Sequence, residues 1–311
     1  MTIYDIFKEA IKLGIENDFR TPEEVQNFMW RETVTNGSGD SFINPFPDSG
    51  IVWVSDIDAP VMTAVVGVDL GQSEIVTIRE WEKEANKKVD LFIGHHSEGR
   101  PATSFAYILK TQLGNLKSQG VLVDKLDSFF DDRVTELYVE TLSENFNRVR
   151  DAAALLKCDY LSLHSPIDNL SARFVERTLT EARPKTLADT LEVLLTIPEY
   201  AKLDTQNQIR PTIVVGSMTD SLGKFLLTEF VGGEEGPLEI YNAMHQAGVN
   251  TVISMHMSPE ALTRLRQQKV NVIAAGHIGS DSIGLNLFTD TLVTKGIEVI
   301  PLGGFIRCSR L

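Results

Sequence analysis

The sequence predicts an α/β fold built on mostly parallel strands, and three observations carry that prediction. Short apolar, β-branched runs such as residues 61–69 (VMTAVVGVD) lack the alternation of a half-exposed sheet, so they read as strands buried on both faces. Segments of helical periodicity separate these runs, which gives the strand–helix–strand order of a βαβ unit. The chain has 311 residues, 42% of them hydrophobic and 23% charged, which suits a sizeable core in an ordinary globular protein. That length allows one large unit or two lobes.

Residues 1–33 read as helices, because Ile3, Ile6, Phe7, Ala10 and Ile11 recur at helical spacing and Thr21-Pro22-Glu23-Glu24 forms an N-cap followed by a first-turn proline. Residues 36–50 are rich in Gly, Ser, Asn, Asp and Pro and read as loop. A strand over 61–69, a charged helix over 73–88 and a strand over 89–93 follow. Residues 103–157 are largely helical, and 159–163 (DYLSL) is a strand. Helices are expected over 169–182 and 186–196, and a short strand over 212–215. Then come helix 237–247, strand 250–255, helix 259–268, strand 270–275, a helix from about 281, and a closing strand over 297–302. The stretches 36–50, 181–186 and 203–210 are the loosest, and the last is a candidate separator of two lobes.

The charge balance narrows the partners. Twenty-nine Lys and Arg against 43 Asp and Glu give a net charge of −14, which repels phosphate backbones and argues against polymeric nucleic acid. Cys158 and Cys308 are far apart and form neither a disulfide framework nor a zinc ribbon. No signal peptide opens the chain and no apolar run is long enough to span a bilayer, so the expected setting is cytoplasmic, away from membranes.

Three expected strands end alike. Ile93 leads into Gly94-His95-His96, Leu163 into His164 and, four residues on, Asp168, and Ala275 into Gly276-His277 and, four residues on, Asp281. Ligands of open α/β sheets bind beyond the carboxyl ends of the strands, so these groups can meet in one crevice. Imidazole and carboxylate together suit zinc, iron, manganese, cobalt or nickel. In a sharp turn His95 and His96 can serve two neighbouring ions, with Asp168 between them and His277 and Asp281 completing the pair. His256, at the end of another strand, is a candidate acid, base or substrate contact, and a structural histidine is the competing reading. Glu98 and Arg100 flank the histidine pair. The turn Gly232-Gly233-Glu234-Glu235-Gly236 is not a dinucleotide-binding loop.

The segments VDLFIGHHSEG (89–99), LHSPID (163–168) and AGHIGSD (275–281) together resemble the GTP cyclohydrolase I type 2 homolog family, also called Nif-three-like. Members of that family show His-His-Pro after a strand, then His-Thr-Asn-Leu-Asp, then a late Gly-His-x-x-x-Glu, in the same order. The resemblance spans roughly residues 60–311. It implies two divalent metal ions in a cleft between two α/β lobes (residues 51–311, the boundary near 203–237) and a toroidal homohexamer, whereas residues 1–50 look unlike the family's start and read as an added helical extension. It assigns His95, His96, Asp168, His277 and Asp281 to the metals, with Asp168 as the bridge, and places His164 beside them. With His256, His164 is the candidate proton carrier. Three departures stand out: Ser97 replaces the proline, Ser165-Pro166-Ile167 replaces Thr-Asn-Leu, and Asp281 is one methylene shorter than Glu. The expected activity is metal-dependent hydrolysis of a small molecule, with a nucleotide suggested by the family name. The alternative is a metal-binding or metal-delivery protein that acts through partners.

Overall fold

The computed structural model describes residues 1–311. The chain opens with helices α1 (Ile3–Glu16) and α2 (Pro22–Gln26), each started by a threonine capping box, Thr2 with Asp5 and Thr21 with Glu24. Strands β1 (Glu32–Thr35) and β2 (Ser41–Asn44) then form an antiparallel hairpin. The stretch expected to be loop over 36–50 therefore holds a strand, and Gly50 begins another, β3 (Gly50–Trp53). Its turn residues mark the hairpin tip, and they hid the short apolar pieces between them.

Four further strands complete the first sheet: β4 (Thr63–Gly67), β5 (Leu91–Gly94), β6 (Tyr160–Ser162) and β11 (Glu298–Leu302). The order is β11-β4-β5-β6-β3, parallel except for β3 at one edge. Helix α3 (Gln72–Ala85) connects β4 to β5. The long insertion before β6 is helical: α4 (Arg100–Thr103), α5 (Phe105–Ile108), α6 (Thr111–Ser118), α7 (Asp127–Thr141) and α8 (Asn147–Leu156).

The second sheet contains β7 (Thr212–Val215), β8 (Phe225–Thr228), β9 (Thr251–Ser254) and β10 (Asn271–Ala274), in the order β7-β10-β9-β8, with only β7 antiparallel. Helices α12 (Glu239–Gln246) and α13 (Pro259–Gln268) make its crossovers. Strand β8 was not anticipated, because four residues between Lys224 and Glu229 give too short a pattern. The stretch 203–210 also differs from expectation. Its first half belongs to α11 (Pro198–Asn207), which starts on a proline and buries Tyr200 and Leu203 while the rest of its surface is polar.

Two helices run between the sheets. Helix α9 (Ser165–Ala182) follows β6, and α14 (His277–Thr294) follows β10; the two pack along each other. Leu285, Phe288 and Leu292 of α14 share a core with Val66, Leu91 and Ile93 of the first sheet, whereas its Ile283 joins Ile253 and Ile273 of the second. Helix α10 (Leu187–Leu195) packs on α9. Helix α1 also packs on α9, and its Ile3, Ile6, Phe7 and Ile11 lie in the first sheet's core. No helix is long and apolar enough to cross a membrane. Both cysteines are buried free thiols.

Candidate metal centre

Register places the site. In the first sheet Gly67, Gly94 and Ser162 lie side by side, so β4, β5 and β6 end level and present Asp69, His95, His96 and His164. In the second sheet Thr228, Ser254 and Ala274 are aligned, so β8, β9 and β10 end level and present Glu229, His256 and His277. The glycines before the histidines act differently. A Cβ at Gly94 would fall 2.3 Å from the Tyr160 hydroxyl, so glycine there allows a close approach, whereas Gly276 needs its freedom for φ +99°.

Helix α14 begins at His277 rather than near Asp281, as the sequence had suggested. The Ser280-Asp281 pair looks like a cap but lies within the first turns. His277 and Asp281 are therefore one turn apart on one face, with His277 Nε2 3.4 Å from Asp281 Oδ2. Likewise His164 caps α9 and Asp168 sits in its first turn, where a carboxylate is favoured by the helix dipole.

These side chains form overlapping sets of possible ligand atoms, each within 4.8 Å: His95, Asp168 and Asp281; His96, His277 and Asp281; and His95, His96 and His164. His95 Nε2 lies 3.3 Å from Asp168 Oδ1 and 3.6 Å from Asp281 Oδ1, and His96 Nε2 lies 3.5 Å from Asp281 Oδ2. Asp281 thus turns one oxygen to each of two sets. His95 and Asp281 are fully buried, yet His95 Nε2 and both Asp281 oxygens have no hydrogen-bond partner. Buried polar atoms are normally satisfied, so this donor set fits an absent cation.

The other ring nitrogens are held from behind. His95 Nδ1 donates to the Leu163 carbonyl at 3.1 Å, His96 Nδ1 faces Asp69 at 2.7 Å, and His164 Nδ1 faces Asp48 at 2.9 Å. Such outer contacts fix the tautomer and leave Nε2 free to bind. Without an ion the charges compensate one another. Burial works against a charged His95, but Asp281 and Asp168 override it and raise its pKa well above the usual value. His96 is pulled down by burial and pushed up to about 9 by Asp281 and Asp69. Burial alone would raise Asp281, but the adjoining His95 and His96 hold it well below the carboxylate range. His277 is lowered, mainly by burial.

Asp48 and Glu229 carry no sequence signal that marks them as site residues. Asp69 ends a strand just as the histidines do, and the sequence offers it as the start of a turn, Asp69 to Ser73, whose amides could bind substrate; the structure instead sets its carboxylate on His96. Asp48 gave no signal: it is fully buried and accepts from His164 Nδ1, from Ser165 N at 3.3 Å and from Ser165 Oγ at 2.7 Å. Arg100 pairs with Glu32 at 2.8 Å, and Glu98 is raised chiefly by burial. His256 lies beside His277, with ring centroids 4.9 Å apart, and its side chain is half-exposed. The glycine-rich turn also reaches the centre, since a Cβ on Gly233 would stand 3.2 Å from His164 Cε1.

No family model and no curated protein matches the chain. Among solved structures, a NIF3 superfamily protein from Sphaerobacter thermophilus aligns with a TM-score of 0.75 and 24% identity, covering 96% of this chain and 98% of that one. Reduced HcgD from Methanocaldococcus jannaschii aligns with a TM-score of 0.50 and 14% identity over 82% of this chain and 88% of its own. A Staphylococcus aureus hypothetical protein gives 0.50 and 10% over 97% and 96%. The likeness is one of fold: the chain has an α/β architecture of the NIF3 kind, as the sequence motifs implied.

Proposed function

We propose that this protein holds two divalent metal ions between its lobes and acts as a metal-dependent hydrolase. The observation that carries the reading is Asp281, a fully buried carboxylate whose two unpartnered oxygens face separate histidine sets. On this reading His95, Asp168 and Asp281 would hold one ion and His96, His277 and Asp281 the other, with Asp281 rather than Asp168 common to both sets. Such ions would supply Lewis acidity and make water nucleophilic near neutral pH. The protein's own groups do the rest. His164 is oriented by Asp48 and sits where it can assist the first set, and His256 stands at the open side to carry a proton. His96 and His277 keep about a third of their side-chain surface exposed, at 31% and 39%, which supports substrate access from that side.

The substrate class is a small molecule with a cyclic amide or phosphoester bond, a nucleotide being the first to try, and the assembly in this reading is a homohexamer. Elemental analysis of wild type, His95→Ala and His277→Ala comes first; equal metal content in all three refutes the metal assignment. The metal-loaded protein is then held with GTP, phosphoesters and cyclic amides, and no turnover with any metal removes the hydrolase claim. A protein that binds metal, releases it to a chelating acceptor and turns over nothing is a delivery protein instead.

A further inference from the structure

Glu229 combines three costs. It is buried at 6% exposure, both of its carboxylate oxygens lack a donor, and its φ of +63° is in the left-handed region that disfavours a side chain. The neighbouring Thr228 hydroxyl is also buried without a partner. Strain and unsatisfied polarity concentrated on one residue at the end of a strand call for a compensating role.

The surroundings define that role. The nearest opposing group is His256, whose Nδ1 lies 3.9 Å from Glu229 Oε2. The other charged groups that act on Glu229 are Glu235, Glu234 and the opposing Arg133. Across the cleft, His95, His96 and His164 each have Nδ1 held by an oxygen and Nε2 turned to the centre. On the second lobe His256 has Glu229 on its Nδ1 side and its ring beside that of His277, with 4.9 Å between centroids. The 3.9 Å gap is longer than a hydrogen bond, and hydrogen bonds of this kind commonly tighten when substrate binds.

We propose that Glu229 is the positioning residue of His256, and that the two form an acid–base arm of the second lobe facing the metal-ligating groups of the first. The inference rests on the hydrolase reading for its purpose, though not for its geometry. In the reaction His256 Nε2 exchanges a proton with the attacking water or the leaving group, while Nδ1 stays hydrogen-bonded to Glu229. No proton leaves the pair through Glu229.

The test reads the reactivity of one ring. The full-length protein is treated with diethyl pyrocarbonate at pH 8, and modification of His256 is measured by peptide mass spectrometry relative to His245, an exposed histidine on α12. In Glu229→Gln the His256/His245 rate ratio is expected to fall severalfold, because Nδ1 loses the carboxylate that orients the ring and keeps Nε2 as the free, reactive nitrogen. An unchanged ratio overturns the proposal, because a carboxyl serving only the packing of β8 leaves that ratio alone. If Glu229→Gln does not fold, Glu229→Asp retains the carboxyl with a shorter reach, and the same fall or its absence decides. Elemental analysis of the same samples separates the two claims: metal-free wild type ends the hydrolase reading and still leaves the reactivity ratio to be read.

Discussion

Replacing Asp281 by Asn removes one charge while keeping the shape, and it distinguishes a shared ligand from a terminal one. In the structure its Oδ1 faces His95 Nε2 at 3.6 Å, and its Oδ2 faces His96 at 3.5 Å and His277 at 3.4 Å. Loss of an outer-shell partner alone weakens metal binding about 10–100-fold, so loss of a direct ligand shared by two ions costs at least about 100-fold at each. After dialysis Asp281→Asn should retain neither ion, whereas Asp168→Asn should retain the ion held by His96 and His277. There is a separate cost without metal. Asp281 compensates two histidines whose pKa values are raised in its presence. Removing one partner of a buried pair costs about 3–5 kcal/mol, less whatever is recovered when those histidines lose their protons. Urea melts in chelator at pH 7 measure that term, and elemental analysis measures the first. If Asp281→Asn keeps both ions and Asp168→Asn loses both, the bridging argument is wrong and the order expected from the sequence motifs is right.

Asp48→Ala leaves four buried donors, on Ser49, His164 and Ser165, without their acceptor; at about 1–3 kcal/mol each and less than additive, a loss of roughly 3–5 kcal/mol should appear in denaturant melts, with weaker metal uptake. Glu229 is raised well above its ordinary 4.5, first by burial and then by Glu235 and Glu234, with Arg133 opposing. The folded state therefore binds a proton that the unfolded state releases. Its stability contribution is fully present below about pH 4.5 and falls by about 1.4 kcal/mol per unit as pH rises toward the folded value; Glu229→Gln should remove this slope, and melting curves that decline equally with pH in both proteins contradict it. A Cβ at Gly284 would lie 2.2 Å from the Ile167 carbonyl oxygen, so Gly284→Ala must push α14 away from α9. A stability loss of about 1–3 kcal/mol is expected from the overpacking, together with reduced metal content, because these helices carry Asp281 and Asp168. Wild-type metal content in that variant would show that the centre tolerates the shift.

The parts of the site that could be read from the sequence were local ones. His95, His96, His164 and His277 each follow an apolar run long enough to be recognised as a strand, and the rule that ligands gather at carboxyl ends then joins them without any knowledge of sheet order. Glu229 escaped because FLLT is too short to announce β8, although its position is equivalent to that of His256 and His277. The start of α14 was misplaced because Gly276 caps it through its backbone conformation, with φ +99° and no side-chain bond, while Ser280 and Asp281 one turn later resemble the usual capping chemistry. Asp48 was out of reach for a different reason. Its placement depends on β3 pairing with β6, which sets Gly50 opposite Ser162 and so brings Asp48 to His164, 116 residues further on.

Those long-range contacts give the departures from the family motifs a common cause. Ser97 stands where the family has proline, and its hydroxyl donates to the Asp48 carbonyl at 2.8 Å; a proline has no such donor. Ser165 stands where the family has threonine, and its hydroxyl and amide both reach the Asp48 carboxylate. Ser49, next in the chain, receives the His164 amide at 2.8 Å on its hydroxyl. The N-terminal segment and the altered motif residues are therefore parts of one device: the segment brings Asp48 in, the serines hold it, and Asp48 holds His164. Gly284 lets α14 run against the α9 backbone at Ile167, and from that helix the short Asp281 reaches the position between His95, His96 and His277.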